Sequence, residues 1–133
     1  RDARLIYIDR LRLVDGEPLA IERSWLPAKV AAPLLEADLT RTGIYLELQA
    51  RCGVVLRSGS ERLRPVVPGR ADRRALRLPE GEAALAVSRL TSGDDGPLEW
   101  REGLVRGDRW SIAVELTPAP RATSQLPWVP AAA

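Results

Sequence analysis

DRLRLVDGEPLAIERSWLP, residues 9–27, decides the fold. Asp15-Gly16-Glu17-Pro18 is a turn signal between two runs of strand-like residues. It predicts an antiparallel hairpin, with one strand over 4–14 and its return over 19–26, ended by Pro27. On the first strand Leu5, Tyr7, Leu11 and Leu13 share one parity, and Ile6, Ile8, Arg10 and Arg12 share the other. A surface hairpin carries such charges at no cost, so the question is whether Arg10, Arg12 and Glu22 meet water or a bound molecule. A two-residue turn pairs Val14 with Glu17 and sets Arg10 opposite Ile21. A three-residue loop pairs Val14 with Pro18, and brings Arg10 opposite Glu22 and Arg12 opposite Ala20. Asp-Gly favours the tight turn, yet Pro18 cannot donate to a ladder. Both registers stay open.

Outward from the hairpin, residues 30–37 read as a helix, and 42–52 as an amphipathic helix with Ile44, Leu48 and Cys52 at helical spacing before Gly53. Residues 54–67 read as a polar edge strand, to which Pro65 and Pro68 are suited. A short helix follows over 71–78. Strands at 84–91, 97–106 and 109–116 form a meander through turns at Ser92–Gly96 and Gly107-Asp108. The sum is an α+β domain over 1–117, an antiparallel sheet of about six strands flanked by helices. The Pro/Ala-rich stretch 118–133 reads as a flexible tail.

The last hairpin tests which charges turn inward. If Arg106 pairs with Arg109, then Val105 faces Trp110, Gly103 faces Ile112, Arg101 faces Val114 and Glu99 faces Leu116. The parity of Trp110, Ile112, Val114 and Leu116 is apolar, so Glu99 and Arg101 project inward. A buried unpaired charge costs several kcal/mol. These two therefore require a mutual or cross-sheet ion pair, water, or a ligand in a polar-lined pocket. Arginines two apart on a strand share a face, and their planar forks suit phosphate or carboxylate. Trp25, Trp100 and Trp110 sit near strand ends, where indoles pack a core or wall a cavity.

Composition narrows the function. At 133 residues and 45% hydrophobic, the chain supports one domain with a core. Twenty basic residues against 18 acidic ones leave a net charge of +2. That is not the dense basic face of a phosphate-backbone binder, so strong binding of nucleic acid by this stretch is not predicted. The absence of histidine excludes His-based catalysis and most transition-metal sites, and no cofactor is expected. Cys52 is the only cysteine, which excludes an internal disulfide, suggests a cytoplasmic setting, and reads as a small half-buried hydrophobe. No apolar run approaches the roughly 20 residues of a membrane span. The chain opens at Arg1 and has no methionine, so a longer protein with its missing part N-terminal is expected.

Four stretches in order, RLRLVDGEPLAIERSWLP, DLTRTGIYLELQARCGV, LRLPEGEAALAVSRL and GDDGPLEWREGLVRGDRWSIAVEL, resemble the UTRA effector-binding domain. That domain forms the C-terminal half of the HutC branch of GntR-type bacterial transcription regulators. The similarity runs over residues 4–116 and is most specific in Arg-x-Arg before Asp-Gly-x-Pro, in the Gly-Ile-Tyr helix and in Val-Arg-Gly-Asp-Arg-Trp. It implies a chorismate-lyase-like fold with a small-molecule pocket, in a homodimer that binds DNA through an N-terminal winged helix-turn-helix and not through this domain. Family effectors are small and often anionic. By position, Arg10 and Arg12 would grip the anionic group, with Glu22 and Glu99 as the accompanying acids; Arg101 joins the candidate effector-binding residues through strand parity alone. Thr42 falls near a hydroxyl position at a helix N-terminus, although Gly43 occupies the adjacent slot. Val105 stands where many members carry a pocket tyrosine, and Trp110 closes the motif, which implies a less sugar-like ligand with an apolar or aromatic portion. The competing readings are a lyase acting on a chorismate-like dicarboxylate and a dimerisation module without a ligand.

Overall fold

The computed structural model describes residues 4–118. Five strands form one antiparallel sheet: β1 (Leu5–Val14), β2 (Glu17–Pro27), β3 (Ser58–Val66), β4 (Ala84–Gly93) and β5 (Gly96–Arg106). Their order is β1-β2-β5-β4-β3, which makes β5 central and β1 and β3 the edges. The helices are α1 (Ala28–Ala31), α2 (Ile44–Cys52) and α3 (Arg70–Ala75), with a 3-10 turn at Ala32–Glu36 after α1. The single helix expected over 30–37 is thus split. Pro33 supplies no amide hydrogen to continue an α-helical ladder, and the chain tightens into the 3-10 turn.

The opening hairpin satisfies both sequence readings at once. Asp15 (φ 51°) and Gly16 (φ 77°) form the tight two-residue turn, with both residues at positive φ, and Val14 pairs with Glu17. A bulge then shifts the register between Arg12 and Leu13, leaving Leu19 as the extra residue. Arg10 consequently faces Glu22, and Arg12 faces Ala20. One unpaired residue does the work assigned to a longer loop.

The strand expected at 109–116 does not form among the described residues. Both edges of β5 are already occupied, by β2 and by β4, so the chain leaving it finds no free ladder. Gly107 is held down instead, its amide bonding the Ala83 carbonyl. A Cβ there would come within 2.8 Å of that oxygen. Asp108 folds back onto Arg106, which also donates to the Leu76 carbonyl. The expected tail lies outside the described residues, apart from Pro118.

The sheet buries different things on its two faces. At one end of the front face, α1 and α2 close over Ile6 and Leu26 with Ala31, Leu34, Ile44 and Leu48. Ile44 and Leu48 point inward at helical spacing, and Gly53 ends α2 in the left-handed conformation (φ 64°). Cys52 packs half-buried at the margin, and burial pushes its thiol upward. On the back face α3 and its exit carry Leu76 and Leu78 onto Ile21, Ala84 and Leu104. The middle of the front face is ionic.

Candidate functional site

Strand registers put one row of side chains across the front face. Glu22 is central: it accepts from Arg10 Nη2 at 2.9 Å, from Arg12 Nη1 at 2.9 Å and from Arg101 Nη1 at 3.1 Å. Arg101 also reaches Glu99 through Nε (3.1 Å) and Nη2 (2.9 Å). The other oxygen of Glu99 accepts the Tyr45 hydroxyl from α2 at 2.6 Å. The Arg101 guanidinium lies 5.1 Å from the centre of the Tyr45 ring, a cation–π distance. Arg89 on β4 donates to the Tyr45 oxygen at 3.4 Å and pairs with Glu61 on β3 at 2.7 Å. A continuous ionic belt therefore runs from β1 to β3.

The belt is deeply set. Glu99 is 1% exposed, Glu22 7% and Arg101 8%. Burial alone would raise the Glu22 carboxyl, but the Arg12 hydrogen bond and the charges of Arg101, Arg12 and Arg10 outweigh it and hold the group below its ordinary value. Burial and the bond to Glu99 push the Tyr45 hydroxyl upward. Arg89 is raised despite its burial by its bonds to Tyr45 and Glu61. Among the described residues, the buried side-chain polar atoms without a partner are Arg10 Nε, Ser24 Oγ and Thr91 Oγ1. The register puts all three on the front face, with Ser24 opposite Arg101 and Thr91 opposite Glu99. Beside the belt, a cleft of about 230 Å³ is lined by Tyr45, Leu56, Gly59, Glu61, Arg89 and Thr91. No cluster of three or more described Cys, Asp or Glu residues has metal-ligating geometry.

Of the residues singled out in the sequence, Arg10, Arg12, Glu22, Glu99 and Arg101 come together. The inward direction of Glu99 and Arg101 is as deduced, but β2 and β4 set it, not a strand at 109–116. The two charges pair with each other, the bland alternative, and with Glu22 as well. Val105 lies on the same face, half-buried between Ala20 and Leu85. Thr42 precedes the α2 N-cap Gly43, which has no side-chain cap, and enters no bond of the belt. Trp110 is half-buried in the segment beyond β5 and is likewise outside it. Trp25 and Trp100 pair on the back face, where the Tyr7 ring packs at a tilt of 46° against Trp25, centres 5.1 Å apart.

Sequence reasoning missed Tyr45, Arg89 and Glu61. Counting back from the Gly93–Gly96 turn in simple register sets Arg89 opposite Trp100, on the wrong face. A bulge between Thr91 and Ser92 leaves Leu98 unpaired and moves Arg89 opposite Arg101. The same bulge explains why Leu98 and Glu99, adjacent in sequence, are both buried.

Comparison with known proteins agrees with this architecture. The family model of the UTRA domain matches residues 1–111. The HTH-type transcriptional repressor NagR of Bacillus subtilis is 27% identical over 106 residues, which is 79% of this chain and 43% of that protein. The chain thus spans less than half the length of that relative. The C-terminal domain of the histidine utilization repressor from Pseudomonas syringae superposes with a TM-score of 0.79 at 21% identity, covering 87% of this chain and 81% of that one. The effector domain of PhnF from Mycobacterium smegmatis gives 0.72 at 23% identity, covering 79% and 65%. These likenesses carry the fold, and the family match over most of its length carries the assignment: the chain belongs to the UTRA domain family, found in GntR-type transcription regulators.

Proposed function

We propose that this chain is the sensing domain of a bacterial transcription regulator and binds a small anionic metabolite on the front face of its sheet. The charge balance of that face carries the reading: Arg10, Arg12, Arg89 and Arg101 stand against Glu22, Glu61 and Glu99, one cation in excess. Arg12 is the outermost of them, its side chain 56% exposed. A carboxylate or phosphate arriving there competes with Glu22 for forked donors suited to either anion. The unpartnered Arg10 Nε, Ser24 Oγ and Thr91 Oγ1 support the reading, because a buried polar atom costs about 1–3 kcal/mol until something satisfies it. Val105, Val87 and Gly103 form an apolar floor beside the arginines, matched to a ligand with an apolar portion. The domain acts by binding, without catalysis. In a longer cytoplasmic homodimer, ligand binding shifts the population of two arrangements of the DNA-binding heads.

Thermal-shift measurement with inorganic phosphate, sugar phosphates, amino acids and aromatic acids tests this. A ligand at 100 times its Kd adds about 2.7 kcal/mol to stability. Arg10→Ala abolishes the shift and leaves the far-UV circular dichroism unchanged. Equal binding by parent and Arg10→Ala overturns the anion clamp.

A further inference from the structure

The segment that leaves β5 has the pattern of a strand without a ladder to join. Residues 109–116 alternate Trp110, Ile112, Val114 and Leu116 with Arg109, Ser111, Ala113 and Glu115, a period suited to one covered face beside a neighbouring strand. Among the described residues, their backbone makes one hydrogen bond, from the Arg109 amide to the Arg106 carbonyl within the turn. Val114 is 64% exposed and Leu116 73%.

Among the described residues the sheet leaves the outer edges of β1 and β3 open, and the two differ. β3 carries Arg62, Arg64 and Pro65, and charge and proline are the usual protection of an edge. β1 runs from Leu5 to Val14 without proline or lysine. Its one bulge lies at the hairpin end, and its Arg10 and Arg12 are turned to the front face and held by Glu22. On its back face Leu5, Tyr7, Leu11 and Leu13 are exposed. A long apolar edge of this kind is a template for another strand.

The β1–β2 ladder tells which backbone groups are free on that edge. The Ala28 amide donates to the Arg4 carbonyl at 2.9 Å, and Pro27, opposite Leu5, has no amide hydrogen to give. Bonded and non-bonded pairs alternate in an antiparallel ladder. Ile6, Ile8 and Arg10 therefore bond β2, while Leu5, Tyr7, Asp9 and Leu11 turn their amides and carbonyls outward.

We propose that residues 109–116 of one copy add to the β1 edge of a second copy, and the reverse, in a two-fold dimer. Parity makes the match. A strand that sets Trp110, Ile112, Val114 and Leu116 beside the exposed side chains of β1 brings Glu115 to the front face, the face of Arg10 and Arg12, whose charge it complements. A single chain leaves both the strand and the edge unpaired, whereas each copy of a two-fold pair gives one strand and receives one. The main-chain bonds supply the strength of the seam and the alternate side chains its specificity. The inference names the contact surface of the homodimer in the proposed function and rests on that part of the reading, not on anion binding.

The test is the mass of the 133-residue chain in solution, measured without ligand by size exclusion with light scattering. The parent elutes at twice the chain mass. Val114→Asp with Leu116→Asp elutes at the mass of one chain. So does Leu11→Pro, which removes an outward amide and spares the bonds to β2. Both variants keep a cooperative thermal transition. Mixing them restores a species of twice the chain mass, because one contributes an intact edge and the other an intact strand. A dimer that survives Val114→Asp with Leu116→Asp overturns the proposal and assigns the contact to another surface. A monomeric parent overturns it as well. Because no ligand is present, either failure leaves the anion-binding reading standing, and a failed thermal-shift screen leaves the seam standing.

Discussion

The Tyr45 hydroxyl of α2 meets the Glu99 carboxylate of β5 at 2.6 Å, with the Arg101 guanidinium against both. Helix and sheet are therefore joined on the front face by a charge-assisted bond as well as by the apolar contacts at its end. Any ligand that draws Arg101 away from Glu22 alters the surroundings of that bond. Through Glu22, Arg101 and Glu99 the belt links Arg10 of β1 to the Tyr45 hydroxyl of α2.

Arg101 has two carboxylate partners and little exposure, so its removal leaves Glu99 and Glu22 buried with less compensation. Arg101→Ala destabilises the domain by about 3–5 kcal/mol, whereas Arg12→Ala, mostly exposed, costs under about 1 kcal/mol. Urea denaturation of both variants measures the difference. Equal costs would mean that the belt is solvated.

Much of the fold was legible in the sequence because the signals were local. Asp15-Gly16 marked a tight turn, Ser92 to Gly96 marked another, and Ile44, Leu48 and Cys52 marked the face of α2. The misreadings arose where pairing is decided at a distance. Residues 109–116 alternate like a strand, but β2 had already taken the edge of β5 they would have needed. Arg89 was hidden by a one-residue bulge that no local pattern announces. Glu22, Glu99 and Arg101 were found because parity along a strand survives an error about which strand lies beside it.

Stability depends on pH through Glu22. Its carboxyl is held below the ordinary value of 4.5 in the folded chain, so the unfolded chain takes up its proton first as pH falls. The contribution is fully present above about pH 4.5 and is lost as pH drops through the folded value. Tyr45 acts at the opposite end: its hydroxyl is raised above 10.0, so the folded state loses ground as pH climbs beyond that point. Tm measured from pH 3 to 11 shows both declines, and Glu22→Gln flattens the acidic one. An acidic limb unchanged in Glu22→Gln would assign it to other carboxylates.

Leu19, the extra residue of the first bulge, makes up the offset between the tight turn and the pairing of Arg10 with Glu22. Deleting it leaves a regular two-residue hairpin in which Arg12 still faces Ala20 and Arg10 still faces Glu22, because the residue removed is the one without a partner. The deletion therefore keeps the belt, and urea denaturation shows a cost well below the roughly 3–5 kcal/mol of breaking a buried ion pair. A cost as large as that of Arg101→Ala would show that the twist of the bulge, and not the register alone, aims Glu22.

The sheet order β1-β2-β5-β4-β3 also has a consequence for how the molecule comes into being. Glu22 and Arg101 are 79 residues apart, and the two hairpins that carry them can each form early and alone. Of the four strand pairings in the described sheet, β2 with β5 closes the largest loop, the kind of contact that slows folding most. A nascent chain still lacking β5 therefore has no assembled belt, and the Glu22–Arg101 ion pair marks the closing of the last seam of the sheet.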